Sequence, residues 1–201
     1  IMKWVSKVSP LIRELELRKS PVIIRVNKFD EESATSFQNE VARAHSTGQK
    51  VIPVVISSYG GQVYSLMTMI SAIKHSDIPV ATIVEGKAMS CGAILFSCGA
   101  DGMRYMDPDA TVMIHDVSSM SFGKNEETKA SAEESDRLNK KIFEMMATNC
   151  GKKKSHFLDE VHERGHADWF LTAEDAKKHG LANHLRVPTM TISVDVSIDF
   201  E

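Results

Sequence analysis

Val51-Ile52-Pro53-Val54-Val55-Ile56-Ser57-Ser58-Tyr59-Gly60-Gly61 is an apolar run that ends in a turn of small residues. Six nearly consecutive apolar residues read as a strand buried on both faces. After the turn, Val63, Leu66, Met67, Ile70 and Ile73 recur at helical spacing. The same order then repeats. Val80-Ala81-Thr82-Ile83-Val84 reads as a second buried strand, and Gly86-Lys87-Ala88-Met89-Ser90-Cys91-Gly92 as a second small-residue turn. Residues 93–98 continue as an apolar helix. A third strand, Thr111-Val112-Met113-Ile114, runs straight into His115. Strands alternating with helices predict β-α units around a largely parallel sheet, an α/β fold.

On the N-terminal side, residues 22–26 form a short β-branched run that reads as another strand. Phe37, Val41 and Ala44 mark an amphipathic helix over residues 33–45, and residues 11–19 suit a short helix. On the C-terminal side, Leu138, Ile142, Phe143 and Met146 form the apolar stripe of a long charged helix over residues 126–149, closed by Gly151. Residues 156–163 read as a short helix. Thr172 is a predicted N-cap, and Gly180 ends the helix that follows. Beyond Thr189, apolar residues alternate strictly, which predicts a half-buried strand.

The chain has 201 residues, enough for one sizeable core, and a single domain is expected over residues 1–201. A formal charge of -3 gives no electrostatic footprint for nucleic acid. No apolar run reaches the ~18 residues of a membrane span. Cys91, Cys98 and Cys150 are odd in number and lack metal-pair spacing, which fits a reducing, cytoplasmic setting. No cofactor and no metal is expected.

In an open α/β sheet, ligands bind beyond the carboxyl ends of the strands. Both glycine turns lie there. Ser90 follows a strand where a helix begins, so unpaired backbone N–H groups point at its surroundings. The Gly60-Gly61 turn can bring a second N–H to the same point, and two such donors make an oxyanion hole. A serine hydroxyl is a weak nucleophile and needs a base. His115, at the end of the next strand, is the best candidate. A base also needs an orienting carboxylate, and here the residues leave Asp168, Asp116 and Asp109 open.

The motifs together resemble those of Clp protease subunits. Ala88-Met89-Ser90-Cys91-Gly92-Ala93 is similar to that family's nucleophile motif, and Val112-Met113-Ile114-His115 to its histidine motif. Ile56-Ser57-Ser58-Tyr59-Gly60-Gly61 is similar to its glycine turn. Asp168-Trp169-Phe170-Leu171-Thr172-Ala173, with Glu174, Ala176, Gly180 and Leu181, is similar to its aspartate block. The resemblance runs from about residue 22 to residue 185. It implies a ClpP/crotonase-like β-α superhelix with a protruding handle helix over residues 126–150. A short N-terminal segment (1–21) and a strand-like tail (188–201) would flank it.

The resemblance further implies a serine endopeptidase with Ser90 as nucleophile, His115 as base and Asp168 as orienting carboxylate. Gly61 and Cys91 would supply the oxyanion-hole N–H groups. Gly61, Gln62, Val63, Val117, Ser118 and Ser119 would hold an unfolded polypeptide as an added strand. Subunits would stack as two heptameric rings, a homo-oligomer around a closed chamber, fed by an ATP-dependent AAA+ unfoldase. Some positions depart from the family pattern. Ser57 and Tyr59 replace an asparagine and a proline, Asp116-Val117 replaces a glutamine-proline pair, and Ala167 stands where many members carry a ring-contact arginine. Such departures are those of a divergent copy, for example one encoded by a bacteriophage.

Four rival readings remain. His162-Glu163-Arg164-Gly165-His166 matches the zinc-peptidase pattern H-E-x-x-H, which needs both histidines on one helical face. Gly165 weakens that helix, and a solvated helix end is the expectation. Cys91 is a second potential nucleophile, although free cysteines are usually buried and inert. A crotonase-like acyl-CoA enzyme would share the fold and the oxyanion donors without a Ser-His-Asp set. A non-catalytic ring subunit would partner an active copy.

Overall fold

A computed structural model describes residues 21–117 and 124–191. The segments 1–20, 118–123 and 192–201 lie outside the described residues. They include the helix expected at 11–19, the expected substrate contacts Ser118 and Ser119, and most of the alternating tail.

The described elements run β1 (Ile24–Val26), α1 (Glu31–His45), β2 (Ile52–Ser58), α2 (Val63–Lys74), β3 (Val80–Met89), α3 (Cys91–Ser97), β4 (Arg104–Met106), β5 (Thr111–Ile114), α4 (Asn125–Asn149), α5 (His156–Glu163), β6 (Trp169–Leu171) and α6 (Ala173–Lys178). The strands form one sheet in the order β1-β2-β3-β5-β6, with β4 also paired to β3. Every pairing is parallel except β5 with β6, which is antiparallel. The alternating strand-helix pattern therefore produced the expected parallel sheet.

Local chemistry explains the boundaries. Asp30 caps α1: its side chain accepts the Ser33 N–H while the Ser33 hydroxyl takes the Asp30 N–H, a reciprocal capping box. Thr172 caps α6 by accepting the Asp175 N–H, as its position predicted. Ile52, Val54, Ile56, Val80 and Val84 point from one face of the sheet into a core that also holds Phe29, Phe37, Leu66, Leu95, Phe96, Met106 and Phe143, and Val55, Ala81 and Ile83 are buried on the opposite face. Arg104 is a buried charge in this core. Its guanidinium donates to the carbonyls of Leu181, Gly99 and Gly180, which ties β4 to the end of α6.

One boundary differs from the sequence reading. Gly86 to Met89 is not a turn but the last part of β3. Lys87, Ala88 and Met89 pair with Thr111, Val112 and Met113 of β5. The turn is confined to Ser90. The strand keeps β2 on one side, to Ser58 opposite Ala88, and on the other changes partner from β4 to β5, which delivers its carboxyl end beside that of β5.

Candidate active site

Ser90 has φ 53° and ψ -120°. A non-glycine residue in that conformation carries roughly 1–3 kcal/mol of strain and persists only where its surroundings fix it. The fixing contact is the Ser90 N–H, which donates to the Met113 carbonyl at 2.8 Å. The bond continues the β3–β5 ladder by one residue. It stations Ser90 two residues from His115 in the neighbouring strand. α3 starts at Cys91, so the sequence reading of Ser90 as the hinge between strand and helix is met.

The glycine turn packs directly on this hinge. Gly60 has φ 105°, and a Cβ there would lie 2.8 Å from the Ser90 Cβ and 3.2 Å from its Oγ. Only glycine permits that approach. Gly61 has φ 150°, and a Cβ there would collide with the Phe29 carbonyl. The turn is held by three bonds. Gly60 N–H donates to the buried Ser58 hydroxyl at 3.0 Å, Gln62 N–H donates to the Phe29 carbonyl at 2.8 Å, and the Cys91 thiol donates to the Gly61 carbonyl at 3.2 Å.

A small cleft joins these parts. Gly61, Val63, Ser90, Cys91, His115 and Val117 line it, with Ile94, Ile114 and Ile142 as an apolar floor. Roomier hollows over the β1–α1 edge and between α2 and α4 contain neither Ser90 nor His115. Gln62, expected among the substrate contacts, stands apart from Gly61 and Val63. It is the N-cap of α2, and its N–H and carbonyl are both engaged, by the Phe29 carbonyl and the Leu66 N–H.

The β5–β6 register ends with Ile114 opposite Trp169, so His115 and Asp168 are the residues immediately beyond its last pair. Asp116 is engaged elsewhere: its two oxygens accept from Asn139 Nδ2 at 2.7 Å and His166 Nδ1 at 2.6 Å. Asp109 sits in the turn before β5, where its N–H donates to Asp107. Among the described residues no hydrogen bond joins His115 to Ser90 or to Asp168. Hydrogen bonds of this kind are often long before substrate arrives.

Cys91 is 3% exposed, and burial pushes its thiol up to about 11, against the opposing pull of its hydrogen-bond partners. A thiol so protonated near neutral pH is a poor nucleophile. Cys98 and Cys150 are likewise raised by burial, and all three cysteines are free.

The family model for Clp protease matches residues 12–188. The chain belongs to the Clp protease family. Its mixed α/β sheet accords with the ClpP fold, and the family is one of peptidases. The Clp-like motifs quoted from the sequence fall on one edge of one sheet: the glycine turn after β2, Ser90 after β3, His115 after β5, and Asp168 before β6. Of the departures from the Clp pattern, Tyr59 is exposed and lies under the Lys87 ammonium, 4.2 Å from ring centroid to nitrogen. That cation–π contact holds the turn from outside where a proline would have stiffened it from within. The long helix α4 buries Leu138, Ile142, Phe143, Met146 and Ala147, all in its second half. Among the described residues no helix is long and apolar enough to cross a membrane.

Proposed function

We propose that this Clp-family chain is a serine endopeptidase subunit, with Ser90 as nucleophile, His115 as general base and Asp168 as orienting carboxylate. The observation that carries the reading is the strained Ser90, bonded through its N–H to the strand that ends in His115 and sharing a cleft with it.

The chemistry follows from those positions. A peptide carbonyl enters the cleft beside Gly61 and Val63. Ser90 Oγ attacks the carbonyl carbon as His115 takes the hydroxyl proton. The carbonyl oxygen becomes an oxyanion, which the backbone N–H groups of Gly61 and Cys91 receive. Among the described residues neither N–H has a backbone acceptor outside the regular ladders. Removing one such donor typically costs about 10²–10³ in kcat. The C–N bond then breaks, and His115 gives its proton to the leaving amine. Water, activated by the same histidine, hydrolyses the acyl-serine. Asp168 keeps the imidazole in the tautomer that accepts from Ser90 and supports its positive charge.

The exposed first part of α4, which buries no residue before Leu138, suits a handle that packs on another subunit, as the family's stacked rings require. A homo-oligomer of heptameric rings in the cytoplasm, taking unfolded polypeptide from an AAA+ unfoldase, is the assembly this reading carries. Gly61 and Val63 on one side and the segment from Val117 on the other would hold the polypeptide as an added strand.

The test is hydrolysis of a fluorogenic peptide and labelling by a serine-directed phosphonate, across size-exclusion fractions of wild type and Ser90→Ala. Activity and label should travel with an oligomer and vanish in Ser90→Ala. An oligomer that neither cleaves nor labels would instead be a silent ring subunit. Turnover of an acyl-CoA without peptide cleavage would make the chain a crotonase-like enzyme.

A further inference from the structure

The zinc-peptidase pattern at residues 162–166 does not form a zincin helix. α5 ends at Glu163, and Gly165 and His166 both turn left-handed, with φ of 65° and 63°. The reversal folds His166 back over His162, with ring centroids 4.4 Å apart. It also delivers His166 to Asp116, a residue of the turn after β5. One ligand atom from each of Asp116, His162 and His166 lies within 4.8 Å of the other two. Glu163, the general base of a zincin, stands outside the group.

We propose that Asp116, His162 and His166 bind a divalent transition-metal ion of the zinc class. Two imidazoles and one carboxylate are the donor set of zinc and its neighbours; magnesium and calcium take oxygen ligands. Metal–ligand bonds of about 2.0–2.2 Å in a tetrahedron place donors roughly 3.3 Å apart. Rotation of the two exposed histidines closes the longer separations. The Asp116–His166 pair, now 2.6 Å apart, opens slightly as the metal replaces the Nδ1 proton between them. That proton moves to Nε2 or to solvent. His166 is 59% exposed and Asp116 25%, so an ion can reach the site and solvent can complete its coordination.

The carboxylate is prepared for the role. Burial opposes its charge, but the hydrogen bonds from His166 and Asn139 outweigh burial and hold its pKa below the ordinary value. Asn139 also fixes its orientation from α4, as partners of metal-bound carboxylates do. The position gives the ion a consequence. Asp116 is the neighbour of His115, and His166 lies two residues before Asp168. A bound ion clasps the two segments that carry the proposed base and its orienting carboxylate. This last step rests on the peptidase reading; the binding does not.

The experiment is cobalt titration of tag-free, chelator-stripped protein, followed by visible absorption. Wild type should take up one Co²⁺ per chain, with the intense bands of a four-coordinate complex, and release it to Zn²⁺. His162→Gln and Asp116→Asn should weaken binding at least tenfold, while His179→Gln, in the separate His156-Glu160-His179 group, should not. Absence of saturable bands in wild type overturns the site. So does their loss in His179→Gln with retention in His162→Gln. Peptide hydrolysis with and without Zn²⁺ then tests the clasp: kcat should respond to zinc in wild type and not in His162→Gln, and an unresponsive wild type refutes it. Because binding is read by absorption, a protein without peptidase activity leaves the test of the site intact.

Discussion

The Cys91 thiol donates to the Gly61 carbonyl at 3.2 Å, so the two residues proposed to supply oxyanion donors are joined to each other by a side chain of one of them. The bond fixes the distance between two backbone segments just beyond the last β2–β3 pair, Ser58 with Ala88. Cys91→Ala keeps both N–H groups and removes the tie. A neutral hydrogen bond contributes about 1 kcal/mol net, so kcat for a short peptide should fall about fivefold with KM little changed. Cys91→Ser, which keeps a donor, should lose less. Steady-state kinetics on the two variants checks the order. Cys91→Ala abolishing both kcat and phosphonate labelling would mean that the thiol does more than tie the turn.

Gly60 is where backbone and nucleophile are closest. In Gly60→Ala the new methyl meets the Ser90 Cβ at 2.8 Å and the Met89 carbonyl at 3.0 Å, on a φ of 105° that alanine resists. Ser90 must move, and a displacement of about 1 Å in a reacting group costs about 10²-fold. Gly102→Ala separates strain from collision, because its φ is 73° with nothing within 4 Å of the added methyl. Both variants should melt lower. Only Gly60→Ala should lose kcat/KM by about a hundredfold or more.

Asp116 is bonded to Asn139 and His166, while Asp168 lies just beyond the last β5–β6 pair, as His115 does, so the two carboxylates are expected to do different work. Asp168→Asn should lower kcat by a factor on the order of 10⁴ without unfolding the protein, since an orienting carboxylate sets the imidazole's tautomer. Asp116→Asn breaks the bond to His166 but leaves the β5–β6 pairs, the last of which joins Ile114 to Trp169 beside His115 and Asp168. Its loss of kcat should be at most about tenfold. Peptidase assays with matched melting curves decide the assignment, and a reversed ranking would move the orienting role to Asp116.

How far these relationships could be read from the chain depended on length and on distance. β2, β3 and α2 were legible because five or more apolar residues at a fixed period leave few alternatives. β4 and β6 were not, because three residues, such as Trp169 to Leu171, are too few to show a period. The end of β3 was misread as a turn because Gly86 and Ala88 are small; Gly86 has a φ of 74° with only the Ser57 hydroxyl near its face, and Ala88 is fully buried between Ser58 of β2 and Val112 of β5. Ser90 and His115 each sit where a readable strand stops. Asp168 comes next to His115 only through the antiparallel β5–β6 pairing that ends one residue short of both, which nothing local announces, so only the family resemblance favoured it. His162 and His166 were visible as a motif, but Asp116 joins them through packing across the chain.

The last expectation concerns His156 and His179, whose Nε2 and Nδ1 lie 2.9 Å apart. At that contact one nitrogen donates and the other accepts, so at least one ring is neutral there. Burial lowers the pKa of both histidines below the ordinary 6.5, with Lys152 adding to the shift and Glu160 opposing it. Trp169 stands edge-on to His179 and shields it, with ring centroids 4.8 Å apart. In the unfolded chain both rings take up protons as pH falls through about 6.5; in the folded chain they resist. The unfolded state then binds more protons, so stability is full above that value and declines as pH drops through the lowered folded values. Melting temperature should therefore fall between pH 7 and pH 5. His179→Gln, which removes one ring and the conflict between two N–H groups, should flatten that slope while melting lower at pH 7. Melting curves at half-unit pH steps would show it. A variant slope as steep as wild type would mean that other groups govern the acid sensitivity.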